Sequence, residues 1–136
     1  MKFSEMPYKR IDMDEVKKTY RDIIDRTKAA SSGEEQFEIH RAYYKFMDDV
    51  RTSMELAMIR HDNDTTDEFY EKESDFYDEV TPIISQYENE YGKVLYDSPY
   101  RDYLESKIGK VTFKNIEIAN KAFDEKIIPL MQEENA

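Results

Sequence analysis

From Glu34 to Tyr96 the chain carries one glycine, Gly92, and one proline, Pro82, while apolar and aromatic side chains recur at every third or fourth position. No strand-like alternation interrupts this rhythm, so the whole stretch reads as helix. Ile39, Tyr43, Phe46, Val50, Met54 and Ala57 mark one stripe over about residues 34–61. Phe69, Phe76, Val80, Ile83, Tyr87, Tyr91 and Val94 mark a second over about 67–96. The first helix would be roughly 40 Å long, and Pro82 predicts a kink in the second near residues 78–82. Joined by a short polar connection, the two form a long antiparallel hairpin over about 34–96. That length exceeds what a small bundle requires and points to an arm or wall built to lie against something else. A plain three-helix bundle is the alternative.

The flanking segments are helical too, which makes the expected fold class all-α, a long hairpin plus shorter helices in a bundle-like arrangement. Residues 1–10 read as an extended arm. Asp12 or Asp14 can cap a first helix whose inward positions are Met13, Val16, Tyr20, Ile23 and Thr27. Ala29 to Gly33 is a stop and restart, with Ser32 as the next cap and Glu35 completing a capping box. Ser98 and Pro99 supply a cap and a first-turn proline for a short helix with Tyr100, Tyr103, Leu104 and Ile108 inward, ended by Gly109. Residues 111–123 make another, with Val111, Ile116, Ala119 and Phe123 as contacts, and Asp124 can cap a last helix over residues 125–134 in which Pro129 starts or bends the helix. The short helices thus occupy about 98–135, and residues 1–136 are read as a single helical domain.

Composition narrows the possible functions. With 31 acidic against 20 basic residues and no local basic cluster, the chain would repel phosphate backbones, so no nucleic acid partner is expected. No uninterrupted apolar run approaches a spanning helix, and no membrane partner is expected. The absence of cysteine removes disulfides, thiolate catalysis and Cys-ligated zinc, and it suits a reducing compartment. Without a signal-peptide-like apolar stretch at the start, cytoplasmic localisation is the expectation. Although 38% of residues are charged, 11 Tyr and 7 Phe at helical spacing supply a core to bury.

Little catalytic chemistry is visible. The only histidines, His40 and His61, are too far apart in sequence to pair on one helix face around a metal, and both are read as solvated or hydrogen-bonded side chains. Asp62, Asp64, Thr66 and Glu73 stand at the first, third, fifth and twelfth places of a calcium loop. Asp67 occupies the sixth, where such a loop requires glycine, and Thr65 with Glu68 spells an ordinary capping box instead. The carboxylate pairs Asp48/Asp49 and Glu88/Glu90 read as a solvated face, and the tyrosines as core packing.

Three stretches share a distinctive pattern: Phe3-Ser4 through Arg10, the block Ile59 to Glu73, and Asp97-Ser98-Pro99-Tyr100-Arg101. On these the chain resembles the N-terminal region of oligoendopeptidase F-type zinc metallopeptidases, relatives of thimet oligopeptidase. The resemblance covers nearly the whole chain and touches no part of the active site. It implies a parent enzyme that hydrolyses short oligopeptides, with zinc held by a His-Glu-x-x-His motif and a downstream glutamate some hundreds of residues later. Two imidazoles four apart bind the metal while the intervening glutamate serves as general base. This chain lacks that motif, so catalytic, cofactor-binding and metal residues are all expected to be none here, with zinc confined to the parent enzyme.

The resemblance further implies that the chain is a fragment, since the family continues beyond the Gln132-Glu133-Glu134-Asn135 stretch. Its partners would be the missing catalytic domain of the same polypeptide and, in the full enzyme, an oligopeptide substrate. The chain itself would form a wall of the substrate chamber, with self-association as a consequence of uncovered apolar stripes. Arg60, His61, Asp64, Thr66 and Asp67 are the candidate interdomain or substrate-facing residues. A capped interhelix turn is the other reading of that block. From a different class, a stand-alone acidic helical interaction module also fits the hairpin.

Overall fold

The computed structural model describes residues 5–122 and Glu133. The described residues form five α-helices, α1 (Met13–Ala29), α2 (Gly33–Asn63), α3 (Glu68–Tyr96), α4 (Arg101–Ile108) and α5 (Lys110–Ala122), and no strand among them. The expected last helix over 125–134, and Phe123, lie outside this description, Glu133 apart.

The boundaries follow from capping. Asp12 Oδ1 accepts from the amides of Asp14 and Glu15 at the head of α1. Acidic residues follow in its first turn and Arg26 and Lys28 stand in its last, matching the helix dipole. Ser32 Oγ accepts from the Glu35 amide at 3.1 Å. The Glu35 carboxylate reaches back to the Ser31 amide and hydroxyl, one residue earlier than in a standard capping box. At the end of α4, Gly109 adopts φ 112°, a conformation that glycine alone takes without strain.

α2 and α3 are the two long arms of the expected hairpin, 31 and 29 residues. α3 is central and touches every other helix; α1 lies against both arms, α4 against α2, and α5 against α3 and α4. The helix runs unbroken through Pro82, which lies on the exposed side, so the Asp78 carbonyl deprived of its donor faces solvent.

Two buried clusters lie along the hairpin. Nearer the α2–α3 turn, Val16, Tyr20, Met47, Val50, Ala57, Tyr77, Val80 and Ile84 pack together, with Tyr8 and Ile11 of the arm against them. At the other end, the base, α4 and α5 add Leu104 and Phe113 to Ile23, Ile24, Ile39, Tyr91 and Leu95. Tyr43, Phe46 and Tyr87 belong to both. Tyr20 and Tyr87 stack with centroids 5.2 Å apart at this junction.

The expected core differs from the observed one in several places. On α3 the buried face is Glu73, Tyr77, Val80, Ile84, Tyr91, Gly92 and Leu95, one position away from much of the expected stripe, and Phe69 is 56% exposed. On α5 the buried side chain is Phe113, whereas Val111 is 74% exposed and Ala119 is also outside. Ser98 does not cap α4. Its hydroxyl donates to Gln36 Oε1 and accepts from the Tyr100 amide, which places Ser98 and Pro99 in a turn before the helix begins. Gln36, itself buried, also donates from Nε2 to the Thr27 carbonyl at 2.9 Å, so one amide ties the end of α1 to the start of the α4 turn.

Candidate functional site

The five candidate residues of the 59–73 block lie at the turn between α2 and α3, and the structure divides them by role. Asp64 Oδ1 accepts from the Thr66 amide at 3.0 Å and from the Thr66 hydroxyl at 2.6 Å, and these bonds hold its carboxyl below the usual range. Asp67 Oδ1 accepts from the amides of Phe69 and Tyr70, making it the cap of α3. Thr65 is therefore not the cap, and the Thr65/Glu68 capping box does not form. Asp67 is two residues closer to the first turn, immediately before Glu68, and carries a stronger, charged acceptor.

Arg60 and His61 face inward from the last turn of α2. Arg60 Nη1 donates to the Tyr70 hydroxyl at 3.0 Å and Nη2 to the Met6 carbonyl, so this guanidinium joins both hairpin arms to the N-terminal arm. His61 Nδ1 is buried and has no hydrogen-bond partner among the described residues. Around them Met58, Ile59 and Phe69 keep much of their surface exposed.

One turn into α3 lies a group that the stripe-by-stripe sequence reading missed. Glu73 is buried, 3% exposed, and its carboxylate accepts from the Tyr8 hydroxyl at 2.6 Å and from Arg10 through Nε and Nη2. Tyr8 is also within 3.0 Å of the Tyr77 hydroxyl, and the Ile11 amide donates to that same Tyr77 oxygen at 3.4 Å. Arg10 covers the Phe76 ring at 4.3 Å, and Tyr8 meets Phe69 and Tyr70 edge-on. The hydrogen bond from Arg10 holds the Glu73 carboxyl below its ordinary range despite burial. Burial, reinforced by Glu73 and Tyr77, pushes the Tyr8 hydroxyl well above its own. A carboxylate that stays ionised beside a phenol that stays protonated has no proton to exchange near neutral pH. The group is a clamp for the arm, not an acid–base pair. A signal was available: Glu73 is in helical phase with Tyr77, Val80 and Ile84, and a carboxylate on a buried face demands a cation.

Elsewhere, His40 is half-buried on α2. Its Nδ1 is 2.7 Å from the Tyr91 hydroxyl and its ring lies parallel to the Tyr91 ring, while burial pushes its imidazole down from the ordinary value. Its hydrogen bond agrees with the sequence expectation, whereas its half-burial against Tyr91 departs from the surface position expected of it. Among the described residues no three His, Cys, Asp or Glu side chains lie close enough to hold a metal ion. The donors among the described residues do not fit the zinc site of a metallopeptidase.

The described residues thus form an all-helical domain built on a central helix, α3, to which the N-terminal arm is clamped. Residues 3–123 match the family model of the peptidase M3 N-terminal domain, and the chain belongs to that family. Solved structures agree. The chain is 37% identical to PZ peptidase A, solved with an inhibitor, with a TM-score of 0.88 over 98% of this chain and 24% of that one. It is 33% identical to a protein assigned as oligoendopeptidase F from Bacillus anthracis str. Ames, with a TM-score of 0.88, covering 99% of this chain and 25% of the other. A further structure assigned as oligoendopeptidase F gives 36% identity, a TM-score of 0.86 and coverage of 90% and 22%. The chain thus spans about a quarter of the length of these structures. No match to it was found among curated protein sequences. No helix among the described residues is long and apolar enough to cross a membrane.

Proposed function

We propose that this chain is the non-catalytic N-terminal portion of a cytoplasmic zinc-dependent oligoendopeptidase, and that it forms one wall of the chamber in which short oligopeptides are cut. The observation that carries this reading is the match of residues 3–123 to the peptidase M3 N-terminal domain, together with the match of nearly the whole chain to about a quarter of the length of much longer peptidases. The hydrolytic residues, zinc ligands included, would reside in the remaining three quarters. Residues 5–122 would act as one piece, because the arm, the hairpin and the short helices share side chains in two adjoining clusters. The turn block of Arg60, His61, Asp64, Thr66 and Asp67 would meet the rest of the polypeptide or its substrate. His61 brings an uncommitted buried nitrogen to that contact, and Met58, Ile59 and Phe69 bring exposed apolar surface.

An immunoblot of the source cells with an antibody against this chain tests the reading. A product of about four times its 16.3 kDa supports it. A native product of 16.3 kDa would overturn it in favour of an independent helical interaction module.

A further inference from the structure

Between α2, α3 and α5 lies a cleft of about 640 Å³, lined by Arg51, Glu88, Asn89, Gly92, Thr112, Asn115, Ile116, Ala119 and Asn120. Its volume is that of a small-ligand site, and its composition is unusual for so acidic a chain. One guanidinium and one carboxylate face three asparagines and a threonine, with Gly92 and Ile116 between them. Among the described residues no hydrogen bond engages the side chains of Glu88, Asn89, Thr112, Asn115 or Asn120. Arg51 is bound only loosely, to Asp48 on its own helix at 3.5 Å.

The geometry explains why the cleft exists. Gly92 sits where a Cβ would come within 3.3 Å of Ile116 Cγ2, so glycine lets α5 approach α3 closely there. Asn89 on α3 and Asn115 on α5 then stand along the two sides of the opening. Glu88 is a half-buried member of the same lining, and burial pushes its carboxyl up against the opposing influence of Arg51.

We infer that this cleft binds the main chain of an extended oligopeptide, with the asparagine amides of α3 and α5 pairing with its N–H and C=O groups. The asparagine side chain offers a donor and an acceptor together, as a peptide unit does. A row of such groups on opposing helices reads backbone without demanding a particular side chain. Half-buried Glu88 adds an acceptor and exposed Arg51 a donor. With one charge of each sign, the site favours a neutral peptide segment over a phosphate or a metal ion. The inference rests on the chamber-wall reading for its ligand class and assigns that role to one face of the domain.

The test is an NMR titration of the ¹⁵N-labelled chain with a blocked pentapeptide, N-acetyl-Gly-Ala-Gly-Ala-Gly-amide. Saturable shifts of the side-chain amides of Asn89, Asn115 and Asn120 are expected, at a Kd of about 1–10 mM for a single wall. Asn89→Ala and Asn115→Ala should each weaken binding about fivefold. Asn115 is an exposed helical position at which alanine is the better helix former, so loss of binding there would not report loss of fold. Unaltered affinity in both variants, shifts centred on another surface, or no shifts at ~10 mM peptide would overturn the inference. The immunoblot is independent of this result. A long native product with no shift in the cleft removes the peptide site and leaves the chamber-wall reading, whereas a short product removes the latter.

Discussion

The two ends of the hairpin are closed by different physics. At the base, α4 and α5 bring Leu104 and Phe113, 0% and 2% exposed, onto Ile23, Ile24, Tyr91 and Leu95. Towards the turn, beyond the α1 side chains Val16 and Tyr20, an extended arm closes the core through Tyr8 and Arg10 on the buried Glu73. Apolar closure carries no charge to titrate, whereas closure through a buried carboxylate depends on its charge and on its partner. The base is therefore the permanent end of this domain and the turn end the conditional one.

Removing an apolar plug should break the permanent end most severely. Phe113→Ala is expected to cost about 3–5 kcal/mol, through lost burial and the cavity left behind. Denaturant unfolding measures this, and a loss below ~1 kcal/mol would show that α5 contributes little to the closure. A smaller break at the same end comes from overfilling. A Cβ at Gly33 would lie 2.7 Å from Tyr103 Cδ1, so α2 and α4 would have to separate or the ring turn away. Gly33→Ala should cost about 1–3 kcal/mol, unlike the stabilisation that the same change brings at an open helical site.

The conditional end is tested by Glu73→Gln, which keeps the shape and removes the charge. Arg10 retains nearly half of its side-chain surface in water, which screens the pair, so a loss of about 1–2 kcal/mol at neutral pH is expected. The sign of the pH effect is fixed. The folded carboxyl titrates below the unfolded value near 4.5, so the clamp contributes fully above that value and is lost as pH falls through the lower, folded one. The wild-type chain should lose this increment of stability on acidification and the Gln variant should lack that step. Parallel pH profiles would show that the closure does not depend on the Glu73 charge.

The sequence made the helices legible because their signals are local. Periodicity, the Asp12 and Ser32 caps and the Gly109 stop each act within a turn of the residue that carries them. The inward face of α3 was less legible because a central helix is apolar over a broad arc. Phe76, Ile83 and Tyr87 compete with Tyr77, Ile84 and Tyr91, and only the placement of α1, α2 and α5 around it decides between them. The clamp was hidden for a related reason: its partners, Arg10 and Glu73, are 63 positions apart, and the calcium-like spacing drew attention to Glu73 as a loop residue. The amide-lined cleft draws on three helices and has no local signature. The short blocks that carried the family resemblance include the arm and turn that the clamp joins.

The smallest test concerns the turn that holds this conditional end in register. Asp67 caps α3 six residues before Glu73, so its bonds to the Phe69 and Tyr70 amides set where Glu73 emerges relative to Arg10. Asp67→Ala should cost about 1 kcal/mol, the usual value of a cap, whereas Thr65→Ala should be nearly silent because its side chain caps nothing. Thermal melts of the two variants separate the assignments, and a larger loss for Thr65→Ala would reverse them. If the turn also transmits to the clamp, Asp67→Ala combined with Glu73→Gln should destabilise by less than the sum of the single changes, because a frayed first turn has already loosened the carboxylate from its partners. Simple additivity would instead mean that the turn and the clamp hold the same end of the hairpin independently.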